Sequence, residues 1–417
     1  MKPSKTKFGW FFVTVITNKL WSKLMKTVEE AIQFIHSRPK GGKKESMDRM
    51  YDLLGALDNP QNRLPPAIHV TGTNGKGSVS TMVSNILRVA GYQTGLYMSP
   101  YITNFRERIQ INNQLISKTD LVTTTKEVAD CLNILDQKLA PDIPTEFEVL
   151  TAIMLTYFSK KELDAIVIEV GIGGQLDSTN VMKQTKVAVI TSVGLDHQAL
   201  LGHTISEIAW QKAGIIQDDS SVVIGDLPEE AQLVVASRSK SPLIRGEIGV
   251  FEQGLPGHYQ IQNTATAVAA VNAFDNRITP EQISKGLDDS QLVARFERVK
   301  PGVLIDGAHN AQGLKKLYES LNTEAYQEKT VTLIIGSLMD KNVVLEFDEI
   351  LKNHRFQIIL VPFVGPNGRH SLNIDSVAKK YGISTASSWR EAYQQHQADI
   401  VVFTGSLYFV SQVRGEI

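Results

Sequence analysis

A glycine-rich loop set between an apolar strand and an amphipathic helix restricts this chain more than any other feature. The run 67–71, AIHVT, is short and mostly apolar, and it passes directly into GTNGKGS, with glycines at 72, 75 and 77. Beyond the loop Val79, Met82, Val83, Ile86, Leu87 and Ala90 recur at helical spacing, and Gly91 supplies the left-handed backbone that ends a helix. Strand, loop and helix in that order open a parallel α/β unit. Glycines let backbone N–H groups approach phosphate oxygens closely, and a helix N-terminus adds partial positive charge there. Gly72, Thr73, Asn74, Gly75, Lys76, Gly77 and Ser78 are therefore expected to cradle phosphate, with Lys76 neutralising it and Ser78 available to a divalent cation. The spacing is a variant of GxxxxGK[ST]: the second glycine follows the first by three positions, and a further glycine separates lysine from serine.

The same alternation continues along the chain. Strands are expected at 94–98, 165–170, 187–193 and 221–224, mostly as continuous apolar runs with helical patterns between several of them. Such strands imply a doubly wound, mostly parallel sheet covered on both faces. A second, smaller α/β series follows near residue 296, with strands at 303–306, 331–336, 358–362 and 400–404. Of the four stretches between and after these strands, three are long enough for helices, at 311–321, 343–352 and 387–397. The junction is expected between Ser290 and Phe296, giving domains at 25–292 and 293–417. Residues 1–24 read as a flexible extension. Lys2, Lys5 and Lys7 precede an apolar run at 8–16 that is too short to span a bilayer. From Met25 a helical pattern begins, with Val28, Ala31, Ile32 and Ile35 on one face, and Gly41 and Gly42 lie in an expected mobile basic loop.

Charge and cysteine content limit the partners. With 43 basic against 44 acidic side chains, a net charge of -1 gives no global field for a polyanion. No nucleic-acid or membrane partner is expected. The single cysteine, Cys131, can form neither an internal disulfide nor a Cys-rich metal cluster, which suits a reducing, cytoplasmic setting.

A second constellation sits at strand ends. Glu169 closes one strand, and Asp196 with His197 closes the next. Ligands gather at the carboxyl ends of parallel strands, so these groups and the glycine loop can share one crevice. Carboxylate, hydroxyl and imidazole beside a triphosphate suit Mg²⁺ held partly by substrate oxygens. Taken singly, His197 reads equally well as a hydrogen-bonded structural histidine and Glu169 as a helix cap. Lys212, on an expected helix at 206–213, reads better as a solvated helix lysine. Asp306 and His309 follow a strand of the second series and Arg295 lies at the junction. A carboxylate can accept from ribose hydroxyls and an arginine can grip phosphate, but a helix-capping turn at Asp306 explains that motif equally well.

GTNGKGS, SPYITNFRERI, TEFEVLT, IEVGIGGQLDSTN, LDHQALLGHTISEIAWQKAGII, GHYQIQN, DGAHN and TGSLYFV occur in this order across residues 71–410. Together they resemble the folylpolyglutamate synthase and dihydrofolate synthase family of the Mur ligase superfamily. The resemblance implies a P-loop ATPase domain followed by a smaller Rossmann-like domain. It implies an ATP-dependent ligase that adds L-glutamate to the γ-carboxyl of a folate, with dihydropteroate as a further acceptor, through an acyl phosphate. It also implies a monomer using ATP and two Mg²⁺ ions. By matching motifs, Lys76, His197 and Lys212 are catalytic, and Ser99, Glu169, His197 and Lys212, with Ser78, serve the metal. Lys212 matches a lysine that carries a carbamate. Asn263, Arg295, Asp306 and His309 match the nucleotide side. Met47, Asp48, Arg49, Thr145, Glu146, Phe147, Leu176 and Asp177 match the pterin side. The sequence departs from the family at Gln175, where arginine is frequent, at Gln211, where glutamate is frequent, and at Tyr101, where histidine is common. Two other readings stand beside this one: a different Mur-type amino-acid ligase, and a nucleotide-gated switch that hydrolyses ATP without ligation.

Overall fold

The structure, a computed structural model, describes residues 25–41, 44–365 and 369–417. The expected extension at 1–24, and Gly42 of the expected basic loop, lie outside the described residues.

The first sheet has eight strands: β1 Ala67–Thr71, β2 Thr94–Tyr97, β3 Ile109–Ile111, β4 Gln114–Leu115, β5 Ala165–Glu169, β6 Thr185–Ser192, β7 Ser221–Asp226 and β8 Leu243–Arg245, in the spatial order β4-β3-β2-β5-β1-β6-β7-β8. From β2 across to β8 every neighbouring pair is parallel, whereas β3 runs antiparallel to β2 and β4 antiparallel to β3 at the edge. Alternate strand residues feed two cores. Ile166 and Ile168 face the helices Val28–Ser37, Asp48–Ala56, Lys118–Leu139 and Glu146–Phe158, whereas Ala165 and Val167 face Lys76–Val89, Gln260–Phe274 and Pro280–Asp288. Burial on both faces is why these strands read as continuous apolar runs.

The second sheet has six strands: β9 Glu297–Lys300, β10 Val303–Ile305, β11 Val331–Ile335, β12 Phe356–Leu360, β13 Ser384–Thr385 and β14 Ile400–Thr404, in the order β13-β12-β11-β14-β10-β9. All of its pairs are parallel except β9 with β10. The stretch after β14, for which no helix is expected from sequence, forms Leu407–Arg414, capped by the Ser406 hydroxyl and burying Phe409, Val410 and Val413. The short tail suffices because the helix starts within three positions of β14. A further helix, Ile374–Tyr381, also escapes the sequence pattern.

In each sheet a strand inserted between sequential neighbours creates a crevice at its carboxyl end: β5 lies between β2 and β1, and β14 lies between β11 and β10. The two crevices face one cavity of about 870 Å³, lined from the first sheet by the glycine loop, Glu169, Ser192 and Asp226 and from the second by Asp306 and Ser406. No helix among the described residues is long and apolar enough to cross a membrane.

Candidate active site

The glycine loop leaves β1 and turns directly into the helix Lys76–Val89, whose N-cap, Gly75, has φ +86°. A side chain there would be strained and would also meet Asn263 Oδ1 at 2.5 Å. At Gly72 a Cβ would lie 1.9 Å from Thr191 Oγ1, so strand β6 packs against the loop too closely for any other residue. Thr191 Oγ1 in turn donates to the Asn74 carbonyl at 2.6 Å, and Ser192 Oγ accepts from the Asn74 N–H at 2.9 Å. Lys76 Nζ donates back to the Gly72 carbonyl at 2.9 Å. Burial lowers the Lys76 pKa, while the Glu169 and Asp196 carboxylates oppose the shift.

Glu169, at the end of β5, is buried, and its Oε2 accepts the Ser99 N–H at 2.8 Å. Burial raises its pKa and the nearby Lys76 ammonium restrains the rise. Ser78 lies in the first turn of the loop helix, its Oγ accepting from Gln260 Nε2 at 3.1 Å. Ser78, Ser99, Glu169 and His197 all line the cavity. The ring of His197 has no hydrogen-bond partner among the described residues, and burial holds it neutral with a pKa lowered to about 4. A neutral imidazole, a buried carboxylate and hydroxyls are donors of the right kind for a divalent cation that keeps substrate oxygens in its shell. Among the described residues no three His, Cys, Asp or Glu side chains converge into a metal cage made by protein alone.

Lys212 corrects the solvated reading that helical spacing favours. The helix Ile205–Ala213 turns it inward, it is 2% exposed, and no hydrogen bond of its amine is found among the described residues. Burial and then the Lys76 charge push its pKa well down. It stands behind the cavity wall, with Gln211 rather than Lys212 lining the space.

Asp196 joins the two sheets. Its Oδ1 accepts Lys341 Nζ at 2.6 Å, its Oδ2 accepts Asn310 Nδ2 at 3.0 Å, and His309 Nε2 lies 3.6 Å away. Burial would raise its pKa, but the neighbouring His309 ring and the Lys341 charge hold it far below the usual carboxylate range. Asn310 also bonds Asn74 of the phosphate loop at 3.2 Å. Both members of the Asp196–Lys341 pair are buried, so removing one leaves an uncompensated charge. Lys341→Met is expected to cost ~3–5 kcal/mol. Urea unfolding checks this, and an unchanged midpoint would contradict a buried pair.

On the second sheet Asp306, the residue after β10, accepts from Tyr259 Oη at 2.6 Å, the Phe296 N–H at 2.8 Å and the Ala308 N–H at 2.8 Å. It therefore organises the junction as well as facing the cavity. The cap of the next helix is Asn310, whose side chain accepts the Gly313 N–H. Arg295 is projected into the cavity from between Ala294 and Phe296, both at positive φ, 57° and 50°. Asn263, which also lines the cavity, donates to Gln260 Oε1 at 2.7 Å, and His309 Nδ1 is 2.9 Å from the Gly307 carbonyl oxygen.

Thr145, Phe147, Leu176 and Asp177 line the other end of the cavity, but Met47, Asp48, Arg49 and Glu146 do not. Arg49 grips Glu148, Nε to Oε2 at 2.8 Å, and pairs with Asp142; Glu146 pairs with His36 and Lys40. Thr145 and Glu148 form the capping box that starts the helix bearing Phe147. Burial opposes ionisation of Glu148, yet Arg49, Lys44 and the Thr145 N–H hold its pKa at about 2. Its contribution to stability is thus complete above pH 4.5 and lost as the pH falls to about 2. Glu148→Gln is expected to lose roughly 3 kcal/mol at neutral pH and to flatten the stability profile across that window. A parallel loss at all pH values would contradict the ionic role. Asp177 is held by Thr179 Oγ1 at 2.6 Å, which in turn lies 2.8 Å from Nε2 of the fully buried His69.

Lys341, Asn310, Gln312 and Arg108 line or brace the cavity; Lys341 and Gln312 lie outside the motifs quoted above, and Arg108 and Asn310 lie within SPYITNFRERI and DGAHN without a role being read for them there. Each is an ordinary polar residue whose role arises only when distant segments meet. Gln175, the departure from an expected arginine, accepts instead from Arg238 Nη1 at 3.1 Å, and Arg238 stacks 4.3 Å from the Trp210 ring centroid.

Residues 70–241 match the Mur ligase middle domain, which spans the phosphate loop, Glu169, His197 and Lys212. The folylpolyglutamate synthase of Lacticaseibacillus casei is 37% identical over an alignment that covers 92% of this chain and 97% of that protein. The chain belongs to the folylpolyglutamate synthase and dihydrofolate synthase family. The dihydrofolate synthase/folylpolyglutamate synthase of Bacillus subtilis is 32% identical over 93% of this chain and 98% of its own length. A solved structure named as an FPGS–AMPPCP–folate complex superposes with a TM-score of 0.82 at 35% identity, covering 93% of this chain and 99% of that one. A Mycobacterium tuberculosis folylpolyglutamate synthase complexed with ADP gives 0.81 at 26% identity, covering 93% and 97%. The two sheets and their connecting crevice are the P-loop and Rossmann-like fold of this family. As a family member the chain is an ATP-dependent ligase of the Mur type. Neither a cell-wall precursor ligase nor a switch without ligation finds support among these relatives.

Proposed function

We propose that the cavity joins L-glutamate to the γ-carboxyl of a folate, and to the benzoate carboxyl of dihydropteroate, at the expense of ATP. The supporting observation is the convergence on one cavity of the phosphate loop, the Glu169–Ser99 pair and the Asp306–Arg295 junction. A carboxylate is a poor acyl donor because oxide would have to leave. An oxygen lone pair of the acceptor carboxylate attacks the γ-phosphorus as the bond to the bridging oxygen breaks, and ADP departs with that electron pair. The free amine of glutamate then attacks the acyl carbon, inorganic phosphate leaves, and the nitrogen loses a proton. The protein's share is positioning and stabilisation of charge.

Residues 72–78 hold the phosphates, with Lys76 against the transferring group. Asn263, Arg295, Asp306 and His309 face the nucleotide, while Phe147, Leu176 and Asp177 face the pterin. Ser78, Ser99, Glu169 and His197 would hold Mg²⁺, which when bound neutralises the β- and γ-phosphate oxygens. Lys212 is proposed to carry a carbamate that supports a second ion. An amine kept neutral by burial is the form that adds CO₂. A division into domains 25–292 and 293–417, a monomeric state and a cytoplasmic setting complete this reading.

The test is ADP release with tetrahydrofolate or dihydropteroate, each with and without glutamate. Release that requires both substrates, with a product heavier by one glutamyl residue, is expected. ATP turnover indifferent to both would contradict the reading.

A further inference from the structure

Several arginines that bury their side chains in this fold are matched to an acid. Arg38 forks onto Asp136 at 2.6 and 2.8 Å, Arg49 onto Glu148, and Arg414 onto Glu297 at 2.9–3.0 Å. Arg108 is different. It lines the cavity, its Nε is buried without a partner, and no hydrogen bond or ion pair of its guanidinium is found among the described residues. Its neighbour Glu107 cannot serve it, because that carboxylate accepts the N–H groups of Ile102, Thr103 and Asn104 at 2.8, 3.2 and 2.8 Å. This collar closes a capping box with Asn104 and fixes the turn Phe105–Arg108. The Arg108 carbonyl is in turn tied to the Met98 N–H at 3.0 Å, at the end of β2.

The guanidinium is held rather than loose. Its carbon lies 5.2 Å from the Tyr101 ring centroid and 5.5 Å from that of Phe105. Aromatic stacking leaves the in-plane donors of the fork free, which is the geometry that receives a carboxylate in two parallel hydrogen bonds. Its surroundings place it between two parts of the cavity. Its charge acts on Glu169, whose Oε1 would lie 3.7 Å from a Cβ at Gly77 of the phosphate loop. It acts also on Tyr97, whose ring is 6.3 Å from that of Phe147.

We infer that Arg108 binds the reacting carboxylate of the acceptor substrate and holds it toward the γ-phosphoryl group. This rests on the ligase reading above and assigns a residue to the acid that is activated. An acceptor whose ring system lies by Phe147 and whose acid end points to the phosphate loop brings that acid past Arg108. The fork holds both carboxylate oxygens, one of which uses its remaining lone pair to form the new bond to phosphorus, and no proton moves in that step. Other cavity arginines, such as Arg295, approach from the junction on the opposite sheet.

The experiment measures dissociation constants of tetrahydrofolate, its α-monoamide and its γ-monoamide, with AMPPCP present, for the parent enzyme and for Arg108→Met and Arg108→Lys. The parent is expected to bind the γ-amide about 100-fold more weakly than the acid, the scale of a paired charge-assisted hydrogen bond. Arg108→Met should erase that preference while AMPPCP affinity and the thermal midpoint stay unchanged, and Arg108→Lys should restore part of it. A preference for the γ-acid that survives in Arg108→Met overturns the inference. So does a loss confined to the α-amide comparison, or a loss of AMPPCP affinity. If the parent ligates normally, such results remove only the role of Arg108. A parent that neither binds tetrahydrofolate nor ligates removes the ligase reading as well.

Discussion

Lys76→Ala is expected to lower kcat for ligation by about 1,000-fold or more while leaving the protein folded. Two carbonyls of its own loop, those of Gly72 and Thr73, already fix the Lys76 ammonium, so its position costs little reorganisation when phosphate arrives. Alanine removes the charge but keeps the backbone N–H groups, and the helix start depends on Gly75 rather than on the lysine side chain. Folded-state binding of nucleotide should weaken far less than catalysis, because charge on the transferring phosphoryl group is what Lys76 answers. ADP release in the steady state, with a thermal melt as the control for folding, checks this. Near-normal turnover would remove the loop from the reaction.

The second large effect concerns Lys212. Lys212→Ala should cost about 100- to 1,000-fold in kcat, on the scale of losing an electrostatic group in an excluded site. Small carboxylates such as acetate should restore part of the loss, since they bring a negative group into the space vacated by the side chain. With the parent enzyme, ¹³C-bicarbonate should give a carbamate resonance that Lys212→Ala lacks. Burial and the Lys76 charge both favour the neutral amine, so formation of the carbamate does not require high pH. Full activity of Lys212→Ala, with no carbamate signal in the parent, would make Lys212 a structural residue only.

Much of the frame is legible in the sequence because both faces of its strands are buried. AIHVT followed by glycines reads to the residue as β1 and the phosphate loop, and Gly91, at φ +96°, stands where the helix pattern ends. Elements at sheet edges are not legible. The β3–β4 hairpin turns on Asn112 and Asn113, both at positive φ, without the glycine that usually announces such a turn. Strand β9, ERVK, has a single apolar residue, Val299, among three charged ones and gains strand character only from pairing with β10. In the site, Glu169 and His197 are visible as polar residues closing apolar strands. The roles of Lys341 and of Arg108, although Arg108 lies in a quoted motif, are not, because a partner 145 positions away in one case, and the absence of one among the described residues in the other, can be seen only in three dimensions. Lys212 illustrates the same limit: helical spacing says which face it shares but not that the face turns inward.

The claim that this cavity activates a carboxylate by phosphorylating it is tested most directly by following oxygen. Tetrahydrofolate carrying ¹⁸O in both oxygens of its γ-carboxyl is turned over with ATP and glutamate, and the products are analysed by mass. One labelled oxygen in inorganic phosphate for each glutamate added, with the other retained in the new amide, is the predicted result. Unlabelled phosphate, with the lost oxygen found in water or in AMP, would contradict an acyl phosphate and with it phosphoryl transfer to the acceptor in this cavity.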